Sequence, residues 1–293
     1  MKGRAVREIS YAHSVGSRAG RTFVRVVENL TGRLSLIRRA RDYEKEVAQG
    51  ANFWEVMERR FGLALDLPGA GLENIPAEGP VVVIANHPFG ILDGLMMGRL
   101  LSARRRDYRI VAHQVFRKAQ ELDEIILPIS FDGTREAQKV NLETRKAAMA
   151  FLAQGGAVGI FPGGTVSTAR EPWGHPMDPA WRTFTARMVG KSGAAVVPVF
   201  FDGANSRAFQ LASHLHATLR LSLLINEFRR RIGQPVRVVI GRPLPPEEIS
   251  ARARDARAMM DYLRLSTYAL SPRPLADLGY GYEFDDARAR DVA

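Results

Sequence analysis

His87 and Asp93 stand in the stretch VVVIANHPFGILDGL, residues 81–95, just past a run of β-branched residues. An imidazole with one nitrogen held by a carboxylate has its other nitrogen available for a proton, so this pair has the makings of a general base. The same two side chains can also do no more than satisfy a turn, and by themselves they leave both readings open. A second stretch, FPGGTVSTA at residues 161–169, again follows a β-rich run. Backbone N–H groups of Gly163 and Gly164, with the hydroxyls of Thr165 and Ser167, form a turn suited to an anion, although Pro-Gly-Gly is also ordinary turn chemistry. The third, AAVVPVFFDGANS at residues 194–206, is an apolar strand interrupted by Pro198, and alone it reads as a core strand with a bulge.

Several chemistries are excluded by the residues that are missing. The chain has no Cys, which removes disulfides, thiolate metal sites and a cysteine acyl-enzyme, and fits a reducing compartment. No Gly-x-Ser-x-Gly elbow is present to make a serine acyl-enzyme. His175, His214 and His216 have no Cys companions, and His214 and His216 at i, i+2 would face different sides of a helix, so neither a metal nor another cofactor is expected.

Positioning these residues requires a scaffold, and 293 residues at 46% hydrophobic are enough for a full core. Strand candidates are residues 81–85, 108–112, 125–129, 157–161, 195–200 and 236–240, with helix candidates at about 93–104, 114–122, 134–153 and 179–191. Alternation of this kind predicts an α/β fold with a mostly parallel sheet flanked by helices and buried on both faces. His87 then follows the carboxyl end of a strand, where sites form in such sheets, and Asp93 sits near the N-terminus of the next helix, where the dipole favours a negative charge. Three segments are expected: an N-terminal amphipathic helical region at 1–70, the α/β domain at 71–250, and a closing helix and tail at 251–293.

The net charge of +11 favours anionic partners. Residues 1–60 hold 13 basic and 7 acidic residues. There Phe23, Val26, Val27, Leu30, Leu34 and Ile37 recur at helical spacing among Arg21, Arg25, Arg33, Arg38, Arg39 and Arg41. A later stretch, residues 208–233, carries Leu211, Leu215, Leu219, Leu223 and Leu224 and ends in Arg229, Arg230 and Arg231. Such stripes suit a membrane surface, and equally a helix packed on its own domain. The first 20 residues are too polar for a secretory signal, and no apolar run approaches the ~18–20 residues of a spanning helix. Nucleic-acid binding would call for stacking aromatics interleaved with basic residues, and that pattern is missing.

Taken in order, ANHPFGILD, SFDGTREAQKVN, GIFPGGTVSTA and VVPVFFDGANS resemble the glycerolipid acyltransferase family, over about residues 65–245. More narrowly, they resemble its bacterial branch acylating lyso-ornithine and other amino-acid lipids. The resemblance implies that His87 is the catalytic base and Asp93 its partner, with Asn86, Gly163, Gly164, Thr165 and Ser167 at the acceptor. It implies an acyl-ACP or acyl-CoA co-substrate and a lysolipid acceptor, met peripherally at an anionic membrane surface on the cytoplasmic face of the inner membrane. Two departures stand out. Five residues separate His87 from Asp93 where the common family pattern has four, and Gly163 and Val166 replace the glutamate and arginine of the headgroup motif. In the family those two are used around the acceptor phosphate, so a lyso-aminolipid or an unusual lysophospholipid is expected rather than lysophosphatidate. Arg135, presented by a Gly-Thr turn, is an alternative anion ligand, and Arg145 lies nearly three turns later on the same predicted helix. Two rivals keep the fold: a non-catalytic membrane lipid-binding protein, which gives His87 no task, and an esterase, which uses water as acceptor.

Overall fold

The structure, a computed structural model, describes residues 10–12, 15–69, 71–113, 120–130 and 134–283. Helix α1 (Arg18–Thr31) starts where the Ser17 side chain accepts from the Gly20 N–H. It stops at Gly32, whose φ of 142° suits glycine and whose missing side chain makes room for the Arg229 stem. The amphipathic segment read as one helix is therefore two, and α2 (Arg33–Arg39), α3 (Tyr43–Ala48) and α4 (Phe53–Phe61) follow. Next come β1 (Ala64–Asp66), β2 (Val81–Ala85), α5 (Ile91–Arg104), β3 (Tyr108–His113), β4 (Ile126–Ile129), α6 (Arg135–Ala153) and β5 (Ala157–Ile160). A short hairpin, β6 (Thr168–Ala169) and β7 (Pro176–Met177), precedes α7 (Phe184–Ser192), β8 (Ala195–Phe201), α8 (Arg207–Leu215), α9 (Ala217–Arg231) and β9 (Pro235–Ile240). Helices α10 (Pro246–Ala251) and α11 (Ala256–Tyr268) close the order. The helix expected at 114–122 lies mostly outside the described residues, and only Gln120–Leu122 is seen, as a 3₁₀ turn.

Seven strands form one sheet in the order β1-β9-β8-β2-β5-β3-β4, with every neighbouring pair parallel except β8 and β9. All five residues of β2 are buried, as a central strand covered on both sides requires. Val81, Val83 and Ala85 face one core with Leu92, Met96 and Leu100 of α5 and with Leu36, Tyr43, Trp54 and Val56 of the N-terminal helices. Val82 and Ile84 face the other, with Leu152 of α6, Met188 of α7 and Met259 and Leu263 of α11. The segment 1–70 thus contributes an edge strand and core side chains to the α/β domain, and α11 covers the opposite face. Each of these large apolar side chains contributes about 1.5–3 kcal/mol by leaving water. Pro198 stays in register opposite Ile84 along β8, so the expected bulge is not seen on the side facing β2.

The apolar stripe of α1 points outward. Phe23, Val26, Leu30 and Leu34 are exposed, Leu30 by 82%, while Glu28 is fully buried. Glu28 sets this orientation, because its carboxylate accepts the Ser10 hydroxyl at 2.5 Å and the Tyr11 N–H at 2.6 Å and ties the helix to the segment before it. Burial pushes the Glu28 carboxyl above its ordinary range, against the pull of those two donors. No helix among the described residues is long and apolar enough to cross a membrane.

Candidate active site

Strand β2 hands the chain to Asn86, which is 2% exposed. Its Oδ1 accepts the Phe201 N–H at 2.7 Å and its Nδ2 donates to the Phe201 carbonyl at 3.0 Å. The side chain therefore imitates one more backbone rung between β2 and β8 and holds the site's floor. The expectation of Asn86 at the acceptor gives way to this positioning role, because both ends of its amide are engaged in the fold.

After Asn86 the chain turns through His87, Pro88 and Phe89 to Gly90, where φ is 91°, and enters α5. That turn resolves the five-residue spacing, since the first turn of α5 carries Asp93 back to the histidine. His87 Nδ1 stands 2.8 Å from Asp93 Oδ2. The same oxygen accepts the N–H of Phe89 at 2.8 Å and of Gly90 at 2.9 Å, capping the helix. Asp93 is fully buried, and burial raises its carboxyl above the usual carboxylate range despite the imidazole and the two N–H groups that favour its charge. The His87 ring keeps 19% exposure and stacks on Phe161 at 4.5 Å, with 28° between planes. Among the described residues its Nε2 makes no hydrogen bond, and the ring's partial exposure leaves the nitrogen opposite Asp93 open to a substrate.

The FPGGTVSTA loop meets this pair edge to edge. Gly164, at φ 65°, donates its N–H to the Phe161 carbonyl at 3.0 Å and closes a tight turn. Ser167 donates its N–H to the His87 carbonyl at 2.8 Å and its hydroxyl to Asp178. Asp178 is fully buried and also accepts the His87 N–H at 3.2 Å and Trp181 Nε1 at 2.9 Å. A Cβ on Gly163 would stand 3.3 Å from this carboxylate, a tight approach that would also set the glutamate of the headgroup motif beside a second acidic group. Arg220 of α9, 5% exposed, holds the other side of the loop, donating to the Thr165 hydroxyl at 3.2 Å, the Val166 carbonyl at 2.7 Å and the Thr168 hydroxyl.

Two of the four groups expected to receive an anion at this loop are already engaged. The Gly164 N–H and the Ser167 hydroxyl are committed within the protein. Thr165 accepts from Arg220 and keeps its own hydrogen. Arg135 is exposed in the first turn of α6, after edge strand β4, which lies three strands from β2. Arg145 lies over the Phe184 ring at 5.4 Å. Neither arginine is brought to His87. Of the other histidines, His214 Nε2 lies 3.0 Å from the Ala169 carbonyl and His216 caps α9. Asp178 and Arg220 were invisible in the sequence as site residues: one lies in an irregular segment, and the other reads as a charge among leucines.

The sequence profile of the Acyltransferase family matches residues 28–275. The chain belongs to the acyltransferase family. The matched span includes the His87–Asp93 pair, the 161–169 loop, Asp178 and Arg220. Among individual proteins, this chain is 26% identical over 183 residues to the lyso-glycine lipid O-acyltransferase of Phocaeicola vulgatus, an alignment covering 60% of this chain and 63% of that one. It is 27% identical over 184 residues to the protein of the same name from Bacteroides thetaiotaomicron, covering 60% and 64%. The chain therefore spans just under two thirds of the length of these relatives. Among solved structures, the 1-acyl-sn-glycerophosphate acyltransferase PlsC from Thermotoga maritima matches with a TM-score of 0.46 and 18% identity, over 87% of this chain and 89% of that one.

Proposed function

We propose that this acyltransferase moves a fatty acyl chain from an acyl carrier protein or coenzyme A thioester to the hydroxyl of a lysolipid at a membrane surface. The observation that carries the proposal is the His87 Nδ1–Asp93 Oδ2 contact of 2.8 Å beside an Nε2 that stays open. Nε2 takes the proton of the acceptor hydroxyl as its oxygen attacks the thioester carbonyl. Asp93 holds the ring in the tautomer with hydrogen on Nδ1 and stabilises the imidazolium. The tetrahedral adduct then expels the thiolate, which recovers the proton from Nε2, leaving an ester and a free thiol. Base catalysis of this kind supplies about 10²- to 10⁴-fold, and orientation supplies much of the rest.

A lyso-aminolipid is the acceptor that fits best. Gly163 and Val166 cannot make the contacts of the headgroup motif, and Val166 is buried against Phe209 and Leu224. The two curated relatives are named for lyso-glycine lipid, which points the same way. Lipid profiles of cells with and without the protein test this directly. The expected result is loss of a diacylated aminolipid and accumulation of its lyso form, and an unchanged aminolipid profile with a depleted phosphatidate pool contradicts it.

The same proposal puts the chain peripherally on the cytoplasmic face of the inner membrane. Its support is the outward stripe of Phe23, Val26, Leu30 and Leu34, flanked by exposed Arg18, Arg21, Arg38, Arg39 and Arg41. Exposed apolar stripes beside arginines suit anionic lipid, each cation contributing about 1 kcal/mol near the surface. Removing residues 1–45 would also strip Leu36 and Tyr43 from the core, so substitution is the sounder test. Converting Phe23, Leu30 and Leu34 together to Glu is expected to abolish flotation with anionic liposomes at low salt, with little change in thermal stability. Salt alone should weaken binding, since exposed charges are screened over about 10 Å at 0.1 M. Undiminished flotation of the triple variant places the docking face elsewhere.

A further inference from the structure

The sequence groups Arg231 with Arg229 and Arg230 as surface charge, but the structure separates it from them. Arg229 and Arg230 are exposed, while Arg231 is partly buried at the last turn of α9. Its guanidinium lies 4.3 Å above the ring of Phe89, the residue inside the His87–Asp93 turn whose N–H holds Asp93. Its Nη2 donates to the Ala204 carbonyl at 2.8 Å. Gly203 permits this approach, because a Cβ there would stand 2.7 Å from Phe89 Cζ and 3.5 Å from Arg231 Nη2. Arg231 is thus held between the turn after β2 and the turn after β8, at the carboxyl ends of adjacent parallel strands, where sites form in sheets of this kind.

The rest of the guanidinium is unused. Among the described residues, its Nε and Nη1 have no hydrogen-bond partner. The carboxylates whose charges act on it are engaged with other groups. Asp93 holds His87, Phe89 and Gly90, Asp202 pairs with Arg273 at 3.1 Å, and Glu227 accepts the Ser206 N–H and hydroxyl at 2.8 and 2.6 Å. Burial works against the cation, lowering its affinity for a proton, yet a guanidinium stays charged in proteins. A partly desolvated, forked cation with spare donors, seated on Phe89 two residues along the turn from the open histidine, is a place for an anion.

We propose that Arg231 binds the carboxylate of an amino-acid headgroup and so holds the acceptor while its hydroxyl lies at His87. This rests on the lysolipid acyl-transfer reading above and names its headgroup subsite. A carboxylate suits the site better than a phosphate monoester, which carries up to two charges. Arg231 offers one cation, and the Gly164 N–H and the Ser167 hydroxyl of the neighbouring loop are already committed. A glycine joined to its lipid through nitrogen keeps a free carboxylate of this kind.

The test compares an N-acylglycine lysolipid, its methyl ester and lysophosphatidate on the native chain, Arg231→Lys and Arg231→Met, reading both equilibrium binding without donor and steady-state transfer. The native chain is expected to favour the acid over the ester in binding. Arg231→Met should weaken binding of the acid about 10- to 100-fold, raise its KM in parallel and erase the preference over the ester, with Arg231→Lys intermediate. Equal loss for acid and ester would overturn the subsite and leave Arg231 as a support for the Phe89 turn. A loss confined to lysophosphatidate would also overturn it, in favour of phosphate. Binding needs no turnover, so a native chain that discriminates acid from ester without transferring an acyl group retains the subsite and contradicts the transfer reading alone.

Discussion

Asp93→Asn is expected to fold at least as stably as the native chain near neutral pH and to transfer acyl groups on the order of 10³- to 10⁴-fold more slowly. Asp93 is fully buried and its carboxyl is raised, chiefly by burial. A folded pKa above the unfolded one means that stability linked to this group is fully present below the unfolded value and is lost as pH rises through the interval to the folded value. At neutral pH, above the unfolded value, the buried carboxyl therefore lowers stability. Asparagine keeps an oxygen for the Phe89 and Gly90 N–H groups and removes that burden. That same oxygen faces Nδ1, so the ring keeps its tautomer, but a neutral amide no longer stabilises the imidazolium that forms as the acceptor gives up its proton. Thermal melts at several pH values, paired with acyl-transfer rates, check both halves. A variant with native turnover would leave Asp93 as a helix cap alone.

His87→Ala removes the base itself. Its turnover is expected to fall by about 10²- to 10⁴-fold, with acceptor KM changed far less, because the imidazole acts on the proton rather than on the lipid chain. Stability should fall as well, since the ring loses its stack on Phe161 and its 2.8 Å contact with buried Asp93, which keeps only the Phe89 and Gly90 N–H groups. Rates and melting temperatures measured on the same preparation separate loss of chemistry from loss of fold. Normal turnover by His87→Ala would end the proposed mechanism.

The sheet was legible in the sequence because its strands are short β-branched runs buried on both faces, and such runs carry their own boundaries. Residues 81–85 and the observed β2 coincide for that reason. The His87–Asp93 pair was legible because both partners lie within one strand-turn-helix unit, so local geometry alone brings them together. Asp178, Arg220 and Arg231 were not. Each reaches the site from a distant segment, and a single charged residue in a loop or helix gives no sign of what it will meet. Strand β1 was missed because three residues next to a helix carry too short a pattern. The facing of α1 was missed because the apolar stripe is the stronger pattern, whereas buried Glu28, tied to Ser10 and Tyr11, decides which side turns inward. The Gly163 and Val166 departures could be seen in the sequence, but their surroundings come from the fold, where a Cβ on Gly163 would meet Asp178 at 3.3 Å and Phe209 and Leu224 enclose Val166.

Direct transfer from thioester to lysolipid hydroxyl, with His87 as base, can be followed in a single turnover with an acyl thioester labelled in its acyl chain, run with and without a lyso-aminolipid. Labelled diacyl lipid and stoichiometric free thiol are expected only when acceptor is present, with no label retained on denatured protein and only a trace of free fatty acid. Label bound covalently to the protein, or rapid release of labelled fatty acid without acceptor, would contradict direct transfer.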